Sequence, residues 1–451
     1  MQSILKIFLI FSICFGFLNA KTTATPHKPK NTPNTNTKQN TPFDIYHLKG
    51  DEEGPTLLVI GGIHGDEPGG YFTPSLLLSS YKINKGNLYV IPNLNPDSIL
   101  AFRRGIYNDM NRKFATIKPN DPDFNNVAKI KELITSNEVD FIINLHDGHG
   151  FYREKWENAI FNPKAWGQTY VIDQKTLDNV PFGNLDEITK KIETKLNRQL
   201  HYDFHTFGVR NTQTRFKDEE QQNSLTFFAI THLKPSIAIE TSKNIKELDL
   251  KVYYQLSSIE ALMEILGITF SRNFDFTLER VKEKLANLGT LKINEKITLN
   301  LSNLRTQINF TPLKKDKNSF IFSHPLGRVK QTQQGYEIYI GHKRISILKP
   351  DYFDTNCNLE SLEIQADHQE NKNIKLGDSA SFKEGFLIHS KDGIRINVIG
   401  YSKKGILSED NIYIDKIDKN FSLDKLGKSF RVEAYKDNNF CGMVVMEQNN
   451  E

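Results

Sequence analysis

Cysteine is scarce in this chain of 451 residues: there are three, Cys14, Cys357 and Cys441. That excludes a disulfide-rich scaffold and a thiolate metal cluster, both of which need closely spaced sets of thiols. Long apolar runs are missing after the first twenty residues, so nothing later in the chain reads as a bilayer-spanning helix. A dominant charge is missing as well. Lys and Arg number 58 against 54 Asp and Glu, a formal net of +4, and no basic block of the kind that grips nucleic acid is visible.

What is present is enough apolar content, 38%, to build sizeable cores, and the length calls for two or three domains. The opening MQSILKIFLIFSICFGFLNA has Lys6 in a short cationic region, an apolar stretch over 7–18 and the small residue Ala20, the pattern of a secretory signal peptide over 1–20. Cys14 does not suit a lipidation signal, because the bulky Ile13 precedes it and Phe11 stands at the usual aliphatic position. After cleavage only Cys357 and Cys441 remain, and whether they pair is left open at this point. Residues 21–42, rich in Pro, Thr and Asn, cannot bury enough surface to fold and read as a disordered linker.

From 43 to 268 apolar strands alternate with helical periodicity. Strands are expected at 56–62, 88–92 and 139–146, and helices at 127–135, 184–200 and 245–266. This predicts an α/β domain with a mixed twisted sheet flanked by helices. A short helix over 278–288 then leads into alternating segments such as LKINEKITLNL and YEIYIGHKRISIL, and later IRINVIGYS and SFRVEAY. Two small all-β domains follow, 269–354 and 355–451, divided near the polar stretch 351–358, with the last read as sandwich-like or immunoglobulin-like.

The chemistry starts at LLVIGGIHGDEPGG, residues 57–70. A buried strand ends at a sheet edge, glycines allow a tight turn, and His64 and Glu67 converge just ahead of Pro68, which suits the first turn of a helix. With twelve histidines in the chain, average glutamate usage gives about 0.7 chance matches to this spacing, so the motif alone proves little. A second strand tip, VDFIINLHDGHG, adds His146, with His149 as its competitor and Asp147 as a supporting partner. His, Glu and His are a known catalytic zinc set. Between these sites lies FRRGIYNDMNRKF, with Arg103, Arg104, Asn111 and Arg112, a donor array suited to carboxylates. A third apolar strand, PSIAIETS, ends in Glu240.

In that order, these residues resemble the zinc metallocarboxypeptidase family over roughly 43–267. The GGIHGDEPGG corner, the NDMNRKF segment and the appended β domains are most similar to exported D,L-carboxypeptidases that trim peptidoglycan and set helical cell shape. The resemblance implies one Zn2+ per chain on His64, Glu67 and His146, Glu240 as the base, Arg104 as the oxyanion partner, and Asn111 with Arg112 holding the terminal carboxylate. It also implies a periplasmic enzyme acting on muropeptides, with meso-diaminopimelate as the released residue and cell-wall proteins as candidate partners of the β domains. One departure stands out: the family commonly has a tyrosine some twenty residues before the base, yet Tyr is absent between Tyr202 and Glu240. Either another residue of the loop 211–224 closes the site or the substrate needs no such lid, and Trp166, Ser224 and Thr226 are expected as pocket walls.

Two alternatives are weighed. Aspartoacylase and succinylglutamate desuccinylase-like amidohydrolases share the GG-x-H-G-x-E corner, and a non-catalytic wall-binding scaffold would keep the fold. The export signal argues against the first, and the complete set of base and arginine against the second. A short string, Asp418-Lys-Asn420-Phe-Ser422, also matches an extended bacterial N-glycosylation pattern at Asn420.

Overall fold

The computed structural model describes residues 39–449. The signal-peptide reading and most of the linker therefore lie outside the described residues. The last four linker positions do not fit that reading: Asn40 is buried, and its amide nitrogen donates to Asn95 Oδ1 and Asp123 Oδ1, both at 2.8 Å. The folded chain thus begins before Phe43, because one polar side chain finds buried partners on two loops.

The first unit runs β1 (Tyr46–Lys49), β2 (Glu52–Ile60), α1 (Pro68–Ser80), β3 (Tyr81–Ile91), α2 (Pro96–Ala101), α3 (Phe124–Thr135) and β4 (Phe141–Gly148). A short parallel pair follows, β5 (Phe151–Tyr152) with β6 (Phe161–Asn162), then β7 (Thr169–Ile172), α4 (Leu185–Leu196), β8 (Gly208–Asn211) and α5 (Thr214–Lys217). It closes with α6 (Leu225–Thr231), β9 (Ser236–Ser242), α7 (Leu248–Leu266), β10 (Thr269–Arg272) and α8 (Leu278–Ala286). Eight of these strands form one mixed sheet in the order β1-β3-β2-β4-β9-β7-β8, with β10 also on β3. The neighbours β3-β2, β2-β4 and β4-β9 are parallel, and β9-β7 is antiparallel.

Strand alternation assigns the two faces. Leu57, Val59, Ile143, Leu145, Ile237 and Ile239 join the core that holds α1, α4 and α7, while Leu58, Ile60 and Ile142 join the core with α3 and α6. Even-numbered residues of β4 and β9 therefore face the second side, and at the strand ends those residues are Asn144, His146 and Glu240.

The 43–268 boundary needs correction. β10 pairs antiparallel with residues 81–85 of β3, and Phe276 stacks on Tyr253 of α7 at 4.9 Å, so the α/β unit continues through α8. The helix expected to reach residue 200 ends at Leu196, because the Asn197 side chain bonds both backbone groups of Phe207 at 2.9 Å.

The next unit has a three-stranded sheet (Thr290–Ile293, Ile297–Asn300, Phe320–Phe322) and a four-stranded one (Gln307–Leu313, Gly327–Thr332, Gly335–Ile340, Lys343–Tyr352). The last unit is a sandwich of two four-stranded sheets around its own core, which includes Leu362, Phe386, Phe430 and Val432. Cys357 and Cys441 are joined in a disulfide with Cα atoms 5.0 Å apart. No helix among the described residues is long and apolar enough to cross a membrane.

Candidate active site

The corner after β2 is set by glycine. Gly62 has φ +69, and a Cβ on Gly65 would lie 1.9 Å from the Ser98 carbonyl oxygen, so no larger residue fits there. The turn delivers His64 and Glu67, and α1 begins at Pro68 as its spacing predicts. His146 arrives from β4, and Glu240 is its register partner on the adjacent parallel β9.

His64 Nδ1 lies 3.0 Å from Glu67 Oε1, His146 Nδ1 lies 2.9 Å from Glu67 Oε2, and the two Nδ1 atoms are 3.2 Å apart. One donor atom from each of the three falls within 4.8 Å of the others, and all three residues are buried. Two imidazole nitrogens and a carboxylate turned toward one buried point are a donor set for a divalent metal, so the residues fit such an ion. Burial alone would hold the His64 imidazole neutral, but the charges and hydrogen bonds of Glu67 and Asp109 outweigh it and push its pKa up to about 9. His146 goes the other way, lowered chiefly by burial.

Support behind these groups is dense. Asp109 Oδ1 meets His64 Nε2 at 2.9 Å, fixing the imidazole so that Nδ1 faces the centre. The Asp147 backbone N–H donates to Glu67 Oε2 at 3.3 Å, while its carboxylate accepts from Gly69 N at 3.0 Å, from Lys251 Nζ at 3.1 Å and from the Thr241 hydroxyl. Gln255 Nε2 donates to the His146 carbonyl at 2.9 Å.

These side chains line a cavity of about 300 Å3 shared by Arg104, Asn111, Arg112, Trp166, Thr226 and Glu240. Arg104 bridges Asp109 (2.9 Å) and Glu67 (3.2 Å). Asn111 Oδ1 accepts from Leu225 N at 2.9 Å, which leaves its amide nitrogen for a ligand. Arg112 pairs with Glu220 at 2.8 Å. The Arg210 guanidinium packs 3.8 Å over the Trp166 ring, fixing that wall. Glu240 is pushed well above the usual carboxylate range, first by burial and then by the negative charge of Glu67.

Ser224 does not join the wall. Its hydroxyl caps α6, accepting from Phe227 N at 3.2 Å, and the serine is buried. His149 lines the cavity but is not among the three clustered donors. From the loop expected to close the site, Asp218, Glu220 and Gln221 reach the cavity. Residues that the sequence reading passed over are Asp109, Lys243 and Asn144. Lys243 Nζ sits 2.7 Å from Asp66 and 3.5 Å from Glu67, and both Asn144 amide atoms are buried without a partner beside the cavity.

A mixed sheet carrying a buried His-Glu-His set at its carboxyl edge defines a metal-dependent hydrolase of the carboxypeptidase class. The family model described as "Carboxypeptidase controlling helical cell shape catalytic" matches residues 39–287, and the chain belongs to that family. A second model, "C-terminal domain of metallo-carboxypeptidase", matches 355–449. The chain is similar to the tripeptide-bound cell shape determinant protein of Helicobacter pylori, with 33% identity, a TM-score of 0.83 and coverage of 90% of this chain and 100% of that one. Similarity to the mDAP-bound form of the H. pylori D,L-carboxypeptidase is equivalent: 34% identity, TM-score 0.83, and coverage of 89% and 100%. An N-alpha-acetyl-L-2,4-diaminobutyric acid deacetylase of Halomonas elongata is 31% identical over 147 residues, 28% of this chain and 42% of its own length. The chain spans less than half the length of the curated relatives it matches.

Proposed function

We propose that this chain is a zinc D,L-carboxypeptidase of the periplasm that removes a terminal meso-diaminopimelate from peptidoglycan stem tripeptides and so contributes to cell shape. The observation that carries the reading is the convergence of His64, Glu67 and His146 donor atoms within 4.8 Å, in the cavity that also holds Arg104 and Glu240. Likeness to a tripeptide-bound and an mDAP-bound enzyme supports the substrate class.

When bound to the three donors, Zn2+ supplies an acidified water and polarises the scissile carbonyl. The chain's own groups do the rest. Glu240 takes a proton from the attacking water at its carboxylate and passes it to the leaving amine. Arg104 turns from Glu67 and Asp109 toward the tetrahedral oxyanion, where one good donor contributes about 3 kcal/mol. Asn111 and Arg112 hold the terminal carboxylate through the free amide nitrogen and the guanidinium fork, which restricts cleavage to the last residue. Asp218 and Glu220, in the place of the family tyrosine, offer partners to the distal amine of diaminopimelate, and Asn144 offers the substrate two unused polar atoms.

The test is digestion of purified muropeptides with metal analysis alongside. Loss of the third stem residue from tripeptides, with about one zinc per chain, is the expected result. Glu240→Gln should lower kcat by about 10²–10⁴-fold and leave the zinc in place. A wild-type rate in that variant, or acyl release from N-acyl amino acids alone, would overturn the assignment.

A further inference from the structure

The reaction makes no use of the cavity between the two β units, which encloses about 720 Å3. Its floor is the outer face of strand Ser429–Lys436, where Arg431, Glu433 and Tyr435 alternate onto one side. The neighbouring strand adds Arg395 opposite Tyr435 and Asn397 opposite Glu433. Arg431 is 6% exposed and Glu433 2%. Arg431 Nη1 lies 3.1 Å from Glu433 Oε1 and donates to the Phe310 carbonyl at 3.0 Å, and the Tyr435 hydroxyl donates to Glu433 Oε2 at 2.7 Å. Even so, Arg431 Nε is buried with no hydrogen-bond partner, and Glu433 Oε1 has only the ion pair. A donor left open in the cavity floor calls for a ligand that offers an acceptor.

The rim makes an independent point. Pairing of Gln307–Leu313 with Lys343–Tyr352 breaks register between Ile308 and Thr311, and at the break Phe310 takes φ +51 with its ring 70% exposed. A bulged, left-handed, exposed phenylalanine is unfavourable in backbone and in solvation, the kind of strain that persists where function needs it. Phe421, 53% exposed, also lines the opening. The charges lining the cavity nearly cancel, three arginines against four carboxylates, so no ionic ligand is selected. Flat apolar platforms around a floor of amides, hydroxyls and balanced charges suit a neutral polyol with apolar ring faces.

We propose that the joint between the β units is a saccharide-binding site, which holds a stretch of the glycan strand that bears the stem-peptide substrate; this rests on the carboxypeptidase reading. The enzyme then stays on its polymer while the catalytic cavity samples successive stems.

The test uses the full secreted chain carrying Glu240→Gln, expressed without glycosylation machinery because Asn420 lines the same rim. Neutral chito-oligosaccharides as peptide-free chains, free stem tripeptide and intact sacculi are the probes, read by calorimetry and co-sedimentation. Peptide-free chains should bind, and Phe310→Ala with Phe421→Ala should weaken that binding at least tenfold. In the otherwise wild-type chain the same pair should leave kcat/KM for soluble tripeptide within twofold. Arg395→Ala, at an exposed position, is the second variant and should act in the same direction. Binding that follows only the stem peptide, or that survives all three substitutions, overturns the site. Sugar binding without tripeptide hydrolysis by the wild-type chain would instead fault the carboxypeptidase reading.

Discussion

Asp109 Oδ1 lies 2.9 Å from Nε2 of His64, and its other oxygen takes Arg104 Nε at the same distance. One carboxylate thus orients a metal donor and parks the arginine proposed to meet the oxyanion. Asp109 also caps the short turn Met110–Arg112 by accepting from Asn111 N at 2.8 Å, which sets the pair proposed to hold the substrate's terminal carboxylate. Asp109→Ala is expected to reduce metal affinity by about 10–100-fold, the usual effect of removing such a supporting partner. Competition against a chelator of known affinity measures this, and unchanged affinity would limit Asp109 to the arginine and the turn.

Behind the same corner, Lys251 and Asp147 form an ion pair, with the two residues 5% and 1% exposed. Asp147 also receives Gly69 N and so ties the start of α1 to β4. Lys251→Met removes one partner and leaves a buried carboxylate uncompensated, which typically costs about 3–5 kcal/mol. Urea unfolding should show that loss. A change below about 1 kcal/mol would mean that Asp147 simply takes up a proton, as the rise in its pKa on burial favours.

The second unit reaches the corner as well. His342 Nδ1 is 2.6 Å from the Tyr71 hydroxyl, which lies 3.4 Å from the Gly65 carbonyl, and the His342 ring stacks on Phe102 at 4.4 Å. Phe102 ends α2 in a left-handed conformation, two residues before Arg104. His342→Ala is therefore expected to lower kcat by about tenfold, because small displacements of positioned groups are costly. Metal content and melting temperature should change little. Equal kcat with raised KM would make the contact a matter of substrate access and not of arginine placement.

Much of this is legible in the sequence, and what is not has separate causes. The apolar runs of β2, β4 and β9 and the glycine-ringed corner are local signals, so His64, Glu67, His146 and Glu240 could be picked out by eye. Asn144 was within reach too, since two residues before His146 on a strand means the same face. Asp109 was not, because its role depends on a histidine 45 positions away. Ser224 reads as a wall residue, but a serine ahead of LTFFAIT is also a helix cap, and capping is the role it takes. β10 is four residues long and takes its identity from the edge of β3, which no window of sequence contains.

A pH-dependent stability is built in beside the cavity. Asp173, 5% exposed, directly follows β7, and burial pushes its pKa up to about 6 even though the hydroxyls of Thr214 and Thr226 partly offset the effect. The unfolded chain releases this proton near pH 4, whereas the folded chain keeps it to about pH 6. In that window the folded state binds more protons, so stability falls as pH rises; the loss is complete above pH 6 and amounts to about 3 kcal/mol at most. Asp173→Asn stays neutral throughout and should abolish the fall, so that the variant gains on the wild type between pH 4 and pH 6.5 and runs parallel to it above. Urea titrations across that range measure the difference. Parallel curves from pH 4 upward would mean that Asp173 is ionised in the folded chain, with the threonine hydroxyls supplying what its charge needs.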